Sequence, residues 1–157
     1  MKGLILNKGE LFYSSFAKVF ISVKELGEKY NWLISGAECY PRDIKYRNKL
    51  NGTYFWMTGE EIVDMFRQED FQWVWGVMSG FDKSIALEDI LKSKLPYAEG
   101  YMGFWEKPLS IQHTLADIEI VAWDSRCSLF ICKSAPLIEK IKDVYPFSKD
   151  LEEYNKA

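Results

Sequence analysis

Apolar positions along the chain switch between a spacing near 3.6 and a spacing of two, so helices and strands are predicted in turn. Residues 2–6 read as a short strand. Leu11, Phe12, Phe16, Val19, Phe20, Val23 and Leu26 then recur mostly in steps of three and four. They form one helical face, with Gly27 placed to stop the helix. Residues 30–34 are a strand, and residues 41–52 are polar and basic, ending on the turn pair Asn51-Gly52. A strand over 53–57 leads into Thr58-Gly59-Glu60-Glu61. That pattern is a capping box, in which Thr58 and Glu61 satisfy free backbone donors, and the following helix presents Ile62, Met65 and Phe66 inward.

Residues 71–78 make an aromatic strand ended by Ser79-Gly80, with Trp73 and Trp75 on the same face. Residues 85–91 fit a short helix. Residues 93–112 have no period and hold Pro96, Gly100, Gly103 and Pro108. Residues 118–123 and 129–132 form a hairpin around Asp124-Ser125-Arg126. Ser134 caps a helix with Pro136 in its first turn, which presents Leu137, Ile138, Ile141 and Val144 and stops near Pro146. Ser148 is the expected cap of a last short helix through Tyr154. Strands that follow one another directly imply an α+β fold, a mostly antiparallel sheet with helices packed on one face. There is no internal repeat or flexible linker, so residues 1–157 are read as a single domain.

Composition adds an excess of large rings: 16% of residues are aromatic, including six Trp. Tyr and Trp are enriched at interfaces, so some of these rings are expected at the surface. Net charge is −3 but uneven: −4 over residues 97–124, −4 over 58–72 and +3 over 40–50. With a pI near 5.3 and one short basic stretch, nucleic acid is not expected as a partner. A basic protein suits the acidic stretches better. No apolar run is long enough for a membrane span. The opening residues lack the apolar core and cleavage site of a signal peptide. Cys39, Cys127 and Cys132 are too few and too odd in number for a disulfide framework. A cytoplasmic setting is therefore expected.

The chain is poor in catalytic chemistry. Cys127 and Cys132 fall on opposite faces of one strand, and with a single histidine no metal site is expected. A Ser or Cys nucleophile would need His113 as its base, and His113 sits in no recognisable signature. It is read as a structural histidine bonded to a backbone carbonyl. Gly100 to Gly103 do not form a phosphate-binding loop, and no cofactor is expected. Glu99 with Glu106, or Glu119 with Asp124, are the carboxylate pairs available for acid–base work. Strand alternation places Glu119 opposite Ile118 and Ile120, on a side read as solvated. No catalytic residue is predicted and the chain is read as a non-enzyme. The candidate binding residues lie in 95–108: Tyr97, Tyr101, Phe104 and Trp105 as anchors, Glu99 and Glu106 for steering. The alternative for this segment is a cover, with its aromatics folded back on the sheet.

Residues 118–125, the preceding Ile111-Gln112-His113, and the ending Lys149-Asp-Leu-Glu-Glu-Tyr-Asn155 resemble small uncharacterised proteins of Gram-positive bacteria. In length, acidity and aromatic content the chain is also similar to immunity proteins of bacterial toxin systems. That resemblance implies a protein that blocks a toxin by masking its active site. The expected function is accordingly a non-enzymatic protein-binding module of the immunity type. The alternative is a small-ligand or sensor domain, with Trp56, Trp73 and Trp75 as walls of an aromatic pocket.

Overall fold

The structure is a computed structural model that describes residues 1–9 and 15–157, so Leu11 and Phe12 of the predicted first helix lie outside the described residues. In chain order the elements are β1 (Lys2–Leu6), α1 (Ala17–Ser22), α2 (Glu25–Glu28), β2 (Tyr30–Cys39), α3 (Ile44–Leu50), β3 (Tyr54–Met57) and α4 (Gly59–Gln68). They continue with β4 (Trp73–Asp82), α5 (Leu87–Ile90), β5 (Ile118–Trp123), β6 (Cys127–Cys132), α6 (Ala135–Val144), β7 (Lys149–Asp150) and α7 (Leu151–Lys156). The strands form one antiparallel sheet in the order β3-β2-β4-β5-β6-β1-β7. The α+β class and the antiparallel sheet are as the sequence predicts, but the helices are not confined to one face, since Ile90 of α5 and Leu151 of α7 pack on the other.

Alternation along the strands sends Trp32, Ile34, Met78, Ile118, Ile120 and Phe130 to the helical face. There they meet Val19, Phe20, Leu26, Ile62, Phe66 and Ile138 from α1, α2, α4 and α6. Side-chain caps start the two longest of these helices, α4 and α6. The capping box of α4 forms, with Glu61 N–H donating to Thr58 Oγ1 at 3.1 Å and Thr58 N–H to Glu61 Oε1 at 3.0 Å. Ser134 caps α6 through Leu137 N–H at 3.3 Å. Gly27 and Gly59 let α2 and α4 touch: a Cβ on Gly59 would lie 1.9 Å from the Gly27 carbonyl oxygen.

The second face carries Ile5, Leu33, Val77, Phe81, Val121, Leu129 and Ile131. Its cover is the long segment between β4 and β5, which contributes Ile90, Ala98, Phe104, Leu109, Ile111 and Ala116, joined by Leu151 of α7. Much of this cover has no regular structure, and the sheet is nonetheless buried on both sides.

Several expectations change in detail. The predicted first helix breaks into α1 and α2, and α3 appears inside the polar basic segment. Asp150, not Ser148, caps α7, accepting from Glu153 N–H at 2.9 Å, while the Ser148 hydroxyl donates to the Tyr145 carbonyl. Trp73 and Trp75 do not share a face. Ser35 pairs with Val77, Glu38 with Trp75 and Cys39 with Trp73, so β2 gains one residue around Gly36 (φ 58°) and β4 then gains one at Val74. The bulge turns Trp73 into the helical core and leaves Trp75 on the covered face. Gly76 makes room for the swung ring, since a Cβ there would meet it at 2.9 Å.

Candidate functional site

The hairpin between β5 and β6 ends in a tight turn with Asp124 at φ 52° and Ser125 at φ 57°. Two adjacent positive φ values mark a type I′ turn, closed by Arg126 N–H on the Trp123 carbonyl at 2.9 Å. Ser125 N–H ties the turn to the Val74 carbonyl at 3.0 Å. The turn thus holds Trp123, Arg126 and Cys127 at one end of the covered face. Trp123 meets Trp75 edge-on at 5.1 Å, and Trp105 from the cover meets Trp123 edge-on at 5.1 Å. Tyr154 of α7 closes on Trp105 at 6.3 Å. Asn155 secures α7 by donating to the Phe104 carbonyl at 3.1 Å.

Between these groups lies a cleft of about 450 Å3, lined by Ile5, Asn7, Met102, Trp105, Trp123, Arg126, Cys127 and Tyr154. Its lip is apolar and open to solvent, with Met102 59% and Tyr154 41% exposed. Arg126 reaches outward and pairs with Asp124 at 3.4 Å. Burial pushes the Cys127 thiol up to about 11, so at neutral pH it is a protonated apolar wall and not a nucleophile. Further depressions among α1, α2, α4 and α6 mix charged residues such as Lys24, Glu28 and Lys140 with apolar ones such as Ile21, Val63 and Val144.

Of the six residues singled out in the sequence, only Trp105 lines the cleft. Phe104 is fully buried and packs under the cover, edge-on to Tyr101 at 4.7 Å, where no partner reaches it. Tyr97 and Tyr101 are half-buried, with Tyr101 turned edge-on to Tyr97 and Lys94 above the Tyr97 ring. Glu99 and Glu106 are exposed. The aromatic segment is therefore mainly a cover, with Met102 and Trp105 at the edge that borders the cleft. The partners of Trp105 come from residues 123–127 and from Tyr154, which only the sheet order brings close.

His113 behaves as a structural histidine. Its ring is buried, Nε2 lies 2.9 Å from the Ile90 carbonyl, and Nδ1 accepts Leu115 N–H at 3.2 Å. Both ring nitrogens are spent on backbone groups. Glu119 is not solvated: it is 0% exposed, because the side of β5 it shares with Val121 lies beneath the cover. Its carboxylate accepts the N–H of Gln112 at 2.6 Å and of His113 at 3.2 Å, and the Ser79 hydroxyl at 3.4 Å. Desolvation outweighs these bonds and pushes Glu119 up to about 7.

Among the described residues no three His, Cys, Asp or Glu side chains are grouped to hold a metal ion, and no helix is long and apolar enough to cross a membrane. Comparison with protein families, with characterised proteins and with solved structures finds no match to this chain.

Proposed function

We propose that the protein acts by binding another protein at the aromatic cleft, as an immunity-type inhibitor binds the toxin it blocks. One observation carries this reading: Trp105, Trp123, Tyr154, Arg126 and Met102 converge around a single solvent-open cleft. Trp, Tyr and Arg dominate the energetics of protein interfaces, and Met is enriched there with them. The cleft stands on a sheet end and a tied turn, so the surface is pre-formed and its ordering costs little on association. Glu99 and Glu106, exposed on the same cover segment, favour a partner with basic residues around its apolar contact.

The test is retention of a partner by the purified protein in its native host, followed by titration of that partner. Met102→Glu places a charge on the apolar lip, and Trp105→Ala removes one wall. Under this reading each weakens the titrated affinity at least about thirtyfold, the scale of a central anchor. A partner held equally by wild type and both variants sinks it.

A second reading is favoured by the size of the cleft, which falls within the range of small-ligand sites. Trp105 and Trp123, not the core residue Trp73, would then be the reporting rings. Saturable quenching of tryptophan emission by a small apolar compound, lost in Trp105→Ala, would select it.

A further inference from the structure

Residues 97–112 form a loop whose base is closed by Gln112. The Gln112 side chain accepts Tyr97 N–H through Oε1 at 2.5 Å and donates to the Tyr97 carbonyl through Nε2 at 3.3 Å. The backbone of Gln112 and of His113 in turn donates to Glu119. The His113 ring carries the same support to Ile90. One carboxylate on the sheet therefore anchors the base of the loop that carries Met102 and Trp105.

That carboxylate has no ion-pair partner among the described residues. In the sheet its neighbours are Ser79 on β4 and Ile131 on β6. From the cover it meets Gln112 and His113, and Tyr97 stands behind Gln112. The charged side chain that acts on it is Lys133, past the end of β6, which is exposed and bonds the Thr114 carbonyl at 3.2 Å. A buried carboxylate without an ion-pair partner is costly, and lifting the cover lets water reach it. Protonated, the same group still accepts both N–H bonds and can donate its own proton to Ser79 Oγ.

We infer that Glu119 is a proton-operated latch: with its proton it holds residues 97–112 against the sheet, and without its proton it loosens them. It is a positioning residue for the Met102 and Trp105 edge. The importance of that edge rests on the binding reading above, whereas the latch itself does not. The sign follows from the two states. Glu119 titrates near 7 under the cover and near 4.5 once hydrated, so closure takes up a proton and weakens as pH rises between these values.

Amide hydrogen exchange on the whole protein, corrected for intrinsic rates, tests this without a partner. Protection of the 97–113 amides should fall about tenfold between pH 5.5 and 7.5 relative to amides of β5 and β6. Glu119→Gln keeps an acceptor without the charge and should abolish that slope. A flat slope in the wild type overturns the latch, whether or not the variant folds, and so does an equal slope in a folded Glu119→Gln. A slope that the variant removes, beside a partner affinity indifferent to it, supports the latch and counts against the cleft as the binding surface.

Discussion

The two faces of the sheet are buried to a similar depth by different means. On one face, amphipathic helices with side-chain caps press rows of apolar residues onto Trp32, Ile34 and Phe130. On the other, a largely irregular segment does the same work residue by residue, through Ile90, Ala98, Phe104, Leu109 and Ile111. The difference shows in where polar chemistry is enclosed. A helix satisfies its own backbone, so the helical face needs few buried polar side chains. An irregular cover cannot, and its buried backbone groups must find partners in the sheet or in side chains. Glu119, Ser35 and the His113 ring supply them, with the Ser35 hydroxyl donating to the Pro96 carbonyl at 2.8 Å.

If the cover is as integral as the helical layer, truncating a buried ring on either face should be severe. Phe66 on α4 stacks between Phe20 at 5.0 Å and Phe71 at 5.6 Å. Phe66→Ala should lower unfolding stability by about 4 kcal/mol in a urea titration. Phe104→Ala should lower it by about 3 kcal/mol in the same titration. Were residues 93–112 a detachable surface loop, the second value would fall to about 0.5 kcal/mol or less, and the equivalence of the faces would fail.

The same contrast decides what was legible in the chain. The helical face was, because α4 and α6 combine a capping residue with apolar spacing near 3.6. So was the β5–β6 hairpin with its Asp124-Ser125 turn. Helix α3 was not: it buries only Leu50, so it shows no apolar stripe, and its one local sign is Asp43 accepting Lys45 N–H. Alternation placed Glu119 correctly beside Val121, but whether that side meets water depends on a cover that has no period to read. The faces of Trp73 and Trp75 hinge on the bulge at Val74, set by pairing with β2 and not by local sequence. The cleft was half legible. Trp105 stood out within its segment, but Trp123, Arg126 and Tyr154 join it only through the order of strands.

The covered face should also be the one that makes stability depend on pH near neutrality. Glu119 is held near 7 when folded, against 4.5 for an ordinary glutamate. Its folded pKa is raised, so its stabilising contribution is whole below about 4.5 and is lost as pH climbs through 7. Between pH 5 and 8 this group alone should remove up to about 3 kcal/mol of unfolding stability. Glu119→Gln should flatten the profile, measured as urea midpoints at closely spaced pH values. A wild-type profile that rises over that interval would mean that groups outside the cover dominate and that the enclosed carboxylate is not the sensitive point of this face.

The smallest effect is expected where the covered face meets solvent. Met102 projects from the cover with 59% of its surface exposed and sits at the lip of the cleft, outside both buried cores. Little apolar area returns to water when it is shortened and made polar, so Met102→Ser should shift unfolding stability by no more than about 0.5 kcal/mol. The rings beneath it differ: Trp105 and Trp123 are half-buried against each other and belong to the packing as well as to the cleft. Truncating either would therefore mix a folding effect with a binding effect. Met102→Ser separates the two, since a loss of partner affinity at unchanged urea midpoint can only come from the lip. A stability loss of 2 kcal/mol or more, on the scale of a buried apolar side chain, would instead make Met102 part of the cover's packing and remove it from the exposed lip of the cleft.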